Sequence, residues 1–592
     1  MIRTISTALA LTALGVTLHG CGQSQVVPSD SVVARRPNIV MILADDLGYS
    51  DLGAMGSEIQ TPNLDALVAT GQLLTNYRTS ASCSPTRSML MSGTDHHQAG
   101  LGAMAENIGI AMGGDVAPWG AKHKYRSGKP PRGYEGYLNE HVHYLPDLLG
   151  DGGYHTYMVG KWHIGFEAAD PAENSGRPFR PRPSAFPRAR GFERSFALLQ
   201  GGGSHFARVP GKPTIADLGA DYVEDDKPVT LPPGFYSSTS FTDKLIGYID
   251  ADKADGKPFF AYLAYTAPHW PLHAPDEDLA RVKGRYDAGY EVIRARRIEK
   301  MKALRLLPKD FQPNPGLDDQ LGRPRWADLS PEKRAMEARK MEVYAAMVEN
   351  MDRNIGRLVK HLKENGSYDN TMFVFASDNG AEGGVNIFPD NANTDNSLGN
   401  IGRPRSNVTY GERWAEVSAT PFRLWKGYQA EGGISSPLIV RLPGQSHGKP
   451  VSTDLVHVTD LVPTFLEAAN VATPEATHKG RRGVLPLSGQ SQLARLQGRQ
   501  RDPVRGPNDV LAGELFGSRY VIRGPWKLVS VPEPFGANAW ELYDLSRDRG
   551  ETTDLSATRP EIKAELARAY EVYAVRVGVV DTPSGKRRAA AP

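Results

Sequence analysis

Two short apolar runs, each followed at once by acidic residues, constrain the fold of this chain more than any other feature. The runs are PNIVMIL at 37–43 and TMFVFA at 371–376. Short, largely apolar runs of this kind are typical of strands that are buried on both faces of a parallel sheet. Ligands bind in α/β proteins at the carboxyl ends of such strands. The polar residues found there are Asp45, Asp46, Asp378 and Asn379.

Helical patterns alternate with apolar runs, which predicts an α/β fold. The clearest helix covers 340–366, where apolar residues recur at helical spacing before a glycine. After about residue 500 the pattern changes to strands of a meander and then one helix. We predict a large mixed, mostly parallel sheet flanked by helices over 37–500. A smaller α+β domain with an antiparallel sheet and a short disordered tail is predicted over 501–592.

The N-terminus has the pattern of an export signal. A basic residue precedes an apolar run that ends at Leu18 and is too short for a comfortable membrane span. The sequence LHGC, ending at Cys21, is similar to a bacterial lipobox. We expect a lipoprotein-type signal peptide over 1–21, a lipid on Cys21 and a flexible tether over 22–36. The chain would then be exported and anchored in the periplasm or outer membrane. The alternatives are an ordinary signal peptide cut nearby, or an uncleaved anchor.

Composition restricts the class of partner. The chain has a formal net charge of +2 and is 40% hydrophobic and 23% charged, which is ordinary for a globular enzyme. This balance does not indicate a nucleic-acid partner.

The acidic pairs indicate a metal site. Three carboxylates and one amide offer only oxygen ligands, which suit Ca²⁺ or Mg²⁺ better than zinc. The alternative is that each pair only caps a following helix. Two such pairs after two buried strands favour the metal.

Cys83 lies where a helix is predicted to begin. Pro85 suits the first turn of a helix that ends at Gly93. The backbone N–H groups at such a position favour an anion and predict a lowered thiol pKa. Arg87, one turn further along, can point to the same place. The alternative is that Cys83 is a small buried hydrophobic residue.

Basic residues follow several other predicted strands. Lys161 and His163 lie two apart and share one face if the chain is extended there. His269 lies in a Pro-rich turn, and Lys426 precedes a Gly pair and a buried strand. Each alone is more often a surface or packing residue. Together with Arg87, the lysines would outweigh the carboxylates of a metal-loaded crevice and attract an anionic ester.

The chain resembles the type I sulfatase family of the alkaline-phosphatase-like superfamily. The segment CSPTR at 83–87 matches the family signature Cys-x-Pro-x-Arg. Further blocks match in family order over about residues 36 to 580, namely NIVMILADDLGYSDLG, GKWHIG, APHWP, SDNGAEGG, LWKGYQAEGGISSPLIV, GPWKLV and WELYDLSRDRGETTDLS. The chain is most similar to the bacterial arylsulfatases.

The resemblance implies how the site is built. A formylglycine-generating enzyme would convert Cys83 to Cα-formylglycine, whose hydrated aldehyde is a diol. One Ca²⁺, or Mg²⁺, would be bound by a diol oxygen of residue 83 together with Asp45, Asp46, Asp378 and Asn379. Arg87 would hold the diol and the carboxylates in place.

The resemblance also implies a role for each remaining residue. Asp378 would take a proton from the hydroxyl that attacks sulfur. Lys161 and Lys426 would stabilise the sulfate oxygens, and His269 or Lys426 would protonate the leaving alcohol. His163 would deprotonate the second hydroxyl, which expels sulfate.

The predicted function is hydrolysis of sulfate monoesters, with aryl sulfates as the first expectation. The alternatives are a phosphonate monoester or phosphodiester hydrolase of the same superfamily, a sulfated-glycan-binding lipoprotein without turnover, and a metal-binding structural protein. The polar segment 384–410 is expected to form a wall of the pocket. His96, His97 and His273 match no family block and are interpreted as structural.

Overall fold

The fold is known from a computed structural model, which describes most of the chain. The described residues are 36–108, 130–168, 179–218, 220–316, 323–384, 390–473, 477–479 and 481–580. Cys21, the signal peptide, all of the tether but Arg36, and the tail from 581 lie outside the described residues, so the predictions for them stay predictions. No helix within these ranges is long and apolar enough to cross a membrane.

The described strands are numbered in chain order. They are β1 (Asn38–Ala44), β2 (Gln72–Arg78), β3 (His155–Lys161), β4 (Phe166–Ala168), β5 (Phe179–Pro181), β6 (Arg194–Leu198), β7 (Tyr222–Glu224), β8 (Lys227–Pro228), β9 (Phe259–Ala264), β10 (Thr371–Ser377), β11 (Ser435–Arg441), β12 (Val456–His457), β13 (Thr477–His478), β14 (Arg481–Arg482), β15 (Val510–Leu515), β16 (Ser518–Arg523), β17 (Trp526–Ser530) and β18 (Trp540–Asp544).

The described α-helices follow the same numbering. They are α1 (Pro62–Thr70), α2 (Cys83–Ser92), α3 (Leu145–Asp151), α4 (Ile215–Leu218), α5 (Ser237–Asp252), α6 (Asp276–Val282), α7 (Tyr290–Ala303), α8 (Pro331–Glu364), α9 (Gly411–Ala419), α10 (Glu431–Ile434), α11 (Leu461–Ala468), α12 (Leu493–Leu496) and α13 (Pro560–Val577).

A ten-stranded sheet forms the centre of the described part of the protein. Its strand order is β12-β2-β11-β10-β1-β9-β3-β6-β7-β8. The strands from β10 through β6 are parallel to one another, and β11 and β7 pair antiparallel at the two flanks. The prediction of a mixed, mostly parallel sheet is therefore confirmed.

Strands β1 and β10 bring the two acidic pairs together. Every residue of both strands is buried. Alternate residues of β1 enter two different hydrophobic cores, one on each face of the sheet. The strands pair in parallel register from Asn38 opposite Thr371 to Ala44 opposite Ser377. Because paired parallel strands end at the same edge, the polar residues that follow them emerge side by side.

The longest helix, α8, shows how a cap sets a boundary that apolar spacing alone misses. The sequence predicted a helix from residue 340, but α8 begins at Pro331. Ser330 caps it, since its side chain accepts a hydrogen bond from the Lys333 backbone N–H. Proline suits the first helical turn because it needs no backbone donor there. The polar first turns of α8 therefore extend the amphipathic segment toward the N-terminus.

The C-terminal residues form the predicted smaller sheet, with the antiparallel order β15-β16-β17-β18. One face of this sheet, including Tyr520 and Val529, joins the hydrophobic core of the main sheet. The other face, including Leu528, packs against Leu566 and Tyr570 of α13. The small sheet is therefore covered on both faces, and the boundary at residue 500 stays a prediction.

Candidate active site

The turn after β1 directs two neighbouring carboxylates into one crevice. Asp46 has a positive φ of 64°, a conformation that Asp adopts more readily than most residues. Its backbone N–H donates to Asp378 Oδ1 at 3.2 Å. The Asp378 backbone N–H donates in turn to the Ala44 carbonyl at 3.2 Å. This turn interrupts the strand alternation, which would have sent Asp45 and Asp46 to opposite faces of the sheet.

Cys83 is the first residue of α2, and its side chain meets both carboxylates. Its Sγ lies 3.4 Å from Asp45 Oδ1 and 3.6 Å from Asp46 Oδ1. Burial, with a further contribution from the charge of Asp378, raises the thiol pKa well above its ordinary value. The lowered pKa predicted from the helix N-terminus is therefore wrong. Desolvation and nearby negative charge outweigh the helix end.

Arg87 connects three parts of the site. Its Nε donates to Asp378 Oδ2 at 2.9 Å, and its Nη2 lies 2.7 Å from the same oxygen. Its Nη1 donates to the Lys161 carbonyl at 2.8 Å. This buried guanidinium therefore fixes the loop after β10 and the end of β3 relative to α2.

Two lysines neutralise the two carboxylates after β1. Lys161 Nζ donates to both Asp45 oxygens, at 2.8 and 2.7 Å. Lys426 Nζ lies 2.8 Å from Asp46 Oδ2 and 3.1 Å from Glu382 Oε2. Each lysine therefore lies within reach of a group bound beside the carboxylates.

The electrostatics of Asp45 and Asp46 differ. Burial, aided by Asp378, raises the pKa of Asp45 to about 7 against the opposing charge of Lys161. Burial would also raise the pKa of Asp46, but Lys426 and other cations outweigh it and lower that pKa. Asp46 therefore carries the firmer negative charge of the two.

The carboxylate and amide oxygens of this crevice fit a hard cation. Ligand atoms of Asp45, Asp46, Cys83 and His269 all lie within 4.8 Å of one another. Asn379 Nδ2 donates to Asp46 Oδ1 at 2.7 Å. The amide oxygen of Asn379 is buried and has no hydrogen-bond partner among the described residues. A buried acceptor without a donor beside carboxylates suits a cation with oxygen ligands.

The two site histidines lie on different loops. His163 has a positive φ of 60°, so the chain is not extended there and the condition for a face shared with Lys161 is not met. Lys161 reaches Asp45, whereas His163 Nε2 lies 2.9 Å from Glu106 Oε1. His269 contacts the Trp270 carbonyl through Nδ1, and its Nε2 lies 3.5 Å from Asp46 Oδ2.

Sequence reasoning missed four residues at this site. Glu106 pairs with His163, and Glu382, within the quoted block SDNGAEGG, pairs with Lys426. Two glycines leave room for the imidazole rings. A Cβ on Gly201 would lie 2.6 Å from the His163 ring, and one on Gly202 would lie 2.8 Å from the His269 ring. The run GGGS at 201–204 was the only signal available for these glycines.

The other histidines make contacts of a different kind. His96 and His273 each contact a backbone carbonyl oxygen at 2.8 Å. His97 lies 3.1 Å from Asp95 and 3.1 Å from Glu514 of the C-terminal sheet. Burial would lower the pKa of His97, but these two carboxylates raise it to about 9. These side chains join segments of the fold.

The expected pocket wall is described from residue 390 to 410. It runs beside the segment after His269, where the Leu272 N–H donates to the Val408 carbonyl at 3.0 Å and the Ala274 N–H donates to the Gly402 carbonyl at 2.9 Å. This segment is therefore fixed to the loop that carries one of the site histidines, and its role as a pocket wall stays a prediction.

Comparisons with known proteins show what the chain is similar to. A model of the sulfatase family matches residues 37–471. The chain is 42% identical over 562 residues to an uncharacterized sulfatase from Schizosaccharomyces pombe, covering 93% of this chain and 95% of that protein. It is 37% identical over 467 residues to an arylsulfatase from Klebsiella aerogenes, covering 78% of this chain and 92% of that protein.

Solved structures share the fold. One is a sulfatase from Pseudoalteromonas sp., with a TM-score of 0.56 and 19% identity, covering 93% of this chain and 92% of that chain. Another is a protein whose structure was solved in complex with its substrate D-glucosamine-2-N,6-O-disulfate. It has a TM-score of 0.57 and 19% identity, covering 92% of this chain and 99% of that chain.

Proposed function

Since this chain belongs to the sulfatase family, in its type I, alkaline-phosphatase-like group, we propose that it hydrolyses aryl sulfate esters through a Cα-formylglycine at residue 83. Sulfuric ester hydrolysis is the activity of the family. The observation that supports the finer proposal is the placement of Cys83, whose Sγ lies within 3.6 Å of two carboxylates that are each paired with a lysine.

The chemistry of Cys83 favours modification over direct use of the thiol. A thiol with a strongly raised pKa is protonated near neutral pH and is a poor nucleophile. Cys83 is also 1% exposed, which leaves no room for a modifying enzyme to reach it in the folded protein. A formylglycine-generating enzyme would therefore act on the chain before it folds. The match of CSPTR to the family signature supports the same step.

The residues around Cys83 fit the metal that the family uses. Asp45, Asp46, Asp378 and Asn379 would hold Ca²⁺, or Mg²⁺, together with an oxygen of residue 83. The buried and unpartnered amide oxygen of Asn379 is the observation that favours a cation there. When bound, the ion supplies positive charge that stabilises the sulfate oxygens and the attacking oxygen.

The side chains around residue 83 then have separate roles in the reaction. Asp378 takes the proton of the attacking hydroxyl, and Arg87 fixes Asp378 for this through two contacts to one oxygen. Lys161 and Lys426 stabilise the charge on the sulfate oxygens. His269 or Lys426 protonates the leaving oxygen, since both lie within 3.5 Å of Asp46 at the same corner of the crevice.

An aryl substrate and an exported location are the remaining parts of the proposal. The 37% identity with the Klebsiella aerogenes arylsulfatase supports an aryl sulfate. The N-terminal sequence supports export and a lipid on Cys21, which would hold the enzyme at a membrane of the periplasm by the tether.

A comparison of ester classes tests the proposed function. The purified full chain is assayed with an aryl sulfate and with the matching aryl phosphonate monoester, beside Cys83→Ala and Cys83→Ser variants whose folding is checked by circular dichroism. We expect a higher kcat/KM for the sulfate, and a loss of about 10³-fold or more in both variants. A higher kcat/KM for the phosphonate would contradict the proposal, as would full activity in Cys83→Ala.

A further inference from the structure

The Nε2–Cε1 edge of the His163 ring is packed against groups that the proposed roles do not use. Its Nε2 lies 2.9 Å from Glu106 Oε1. Gly201 lies against the same edge of the ring, where a Cβ would come within 2.6 Å of Cε1 and Nε2 and 3.1 Å of Glu106 Oε1. His163 and the Glu106 carboxylate are both largely buried, with side chains 4% and 18% exposed. The ring therefore has little freedom to turn.

The contact with Glu106 decides which ring nitrogen carries the hydrogen. Burial would raise the pKa of Glu106, but His163 lowers it, so the carboxylate is ionised and can only accept a hydrogen bond. Nε2 must then be the nitrogen that bears hydrogen. Burial lowers the pKa of His163 against the opposing effect of Glu106, and the nearby charges of Lys161 and Arg87 add to the lowering, so the ring is neutral near neutral pH. In a neutral ring with Nε2–H, Nδ1 has a free lone pair.

The second ring nitrogen of His163, Nδ1, is not engaged by any described residue. It is buried and has no hydrogen-bond partner there. The segment that carries Glu106 lies beside the nucleophile, since the Ser82 hydroxyl, next to Cys83, lies 3.0 Å from the Met104 sulfur. A buried base without a partner in this position matches a group that acts only when a reacting atom is present.

We propose that Glu106 is a positioning residue that fixes His163 with hydrogen on Nε2 and a free lone pair on Nδ1, the atom that takes a proton from residue 83 when sulfate leaves. This inference rests on the proposed function. After the attack, one oxygen of the residue 83 diol carries the sulfate and the other is still a hydroxyl. The O–H bond of that second hydroxyl breaks and its proton passes to Nδ1. The electrons of that bond form the aldehyde C=O bond, while the C–O bond to sulfate breaks and its electron pair leaves with sulfate. Water then adds to the aldehyde and restores the diol.

The tautomer can be measured without turnover. The full chain is labelled with ¹⁵N-histidine, and the His163 signals are assigned by their loss in a His163→Gln variant. We expect the shifts of a neutral ring with hydrogen on Nε2, and a changed tautomer mixture in Glu106→Ala. A ring with hydrogen on Nδ1, or on both nitrogens at neutral pH, would overturn the inference. This readout does not depend on modification of residue 83.

Pre-steady-state kinetics test the chemical role. In Glu106→Ala, the first equivalent of phenol should be released at the parent rate, because the attack on sulfur does not use His163. Later turnovers should slow by about 10²-fold, because sulfate release needs the base. Glu106→Gln, which keeps a hydrogen-bond acceptor, should recover part of the loss. Equal slowing of the first and later turnovers would overturn the assignment, as would a parent-like steady state in Glu106→Ala.

A matched pair elsewhere supplies the control. His361 Nε2 lies 3.1 Å from Asp250 Oδ1, between α8 and α5. Asp250→Asn should leave both the first turnover and the steady state unchanged. If the parent hydrolyses no sulfate ester, the proposed function fails, and the His163 tautomer still decides whether Glu106 positions this ring.

Discussion

A buried lysine of the C-terminal sheet fastens that sheet to the active-site loops. Lys527 of β17 is fully buried, and its Nζ lies 2.9 Å from Glu431 Oε1 and 2.7 Å from Glu551 Oε1. Glu431 begins α10, close after the Lys426 loop, and also accepts from Arg78 Nη2 at 2.5 Å. Burial would raise the pKa of Glu431, but Arg78 and Lys527 lower it to about 2.

Lys527→Met removes the ammonium group and keeps most of the apolar side chain. Two buried carboxylates then lose a partner. Glu431 keeps contacts with Arg78 and Arg549, and Glu551 keeps one with Arg423. Removing one member of a buried ion pair costs about 3–5 kcal/mol, because an uncompensated charge stays buried. Because the remaining arginines still compensate part of the buried negative charge, we expect a cost at the lower end of this range. The free energy of unfolding should fall by about 3 kcal/mol. Urea unfolding followed by tryptophan fluorescence measures it.

Two further variants make the Lys527 result decisive. Lys360→Met removes a lysine of an exposed pair with Glu364, whose side chains are 73% and 59% exposed, and should change stability by less than about 0.5 kcal/mol. The double variant Lys527→Met with Glu551→Gln should recover at least about 1 kcal/mol, because one buried negative charge is also removed. A Lys527→Met protein as stable as the Lys360→Met control would show that the ion pairs of Lys527 do not stabilise the fold.

Three more predictions concern the site and its surroundings. His97 has a raised pKa, so its ion pairs stabilise the protein fully below pH 6.5 and lose their effect as pH rises through about 9. His97→Gln should therefore lower stability by up to about 3 kcal/mol in mild acid, and an equal loss above pH 9 would contradict this. Asn379→Ala removes the unpartnered amide oxygen and should raise the Ca²⁺ dissociation constant at least ~10-fold by calorimetry, whereas an unchanged constant would exclude this ligand. Gly202→Ala places a methyl group against His269 and should lower kcat by about 10- to 100-fold with unchanged circular dichroism; parent-like kcat would show that the ring tolerates displacement.

Features that depend on local pattern were predictable from the sequence. Strands β1 and β10 follow from their apolar runs, and the shared edge of a parallel sheet then brings Asp45 and Asp378 together. Pro85 and Gly93 mark the ends of α2, although the helix begins two residues before the proline, at Cys83 itself. The small sheet and α13 follow from the change of pattern near residue 500.

Features that depend on burial or on distant segments were not predictable. The thiol pKa of Cys83 was expected to fall, but it rises because the folded chain removes the thiol from water. The positive φ of His163 breaks the extended conformation that a face shared with Lys161 would need. Glu106 lies 57 positions from His163 in the sequence, and no local pattern relates a carboxylate to a histidine over that separation.

The chemical state of residue 83 in active protein tests the proposed Cα-formylglycine most directly. The protein is purified from the organism that makes it, and the peptide containing residue 83 is analysed by mass spectrometry beside hydrolysis of an aryl sulfate. We expect an aldehyde at residue 83 in protein that releases inorganic sulfate. A free thiol at Cys83 in fully active protein would contradict it.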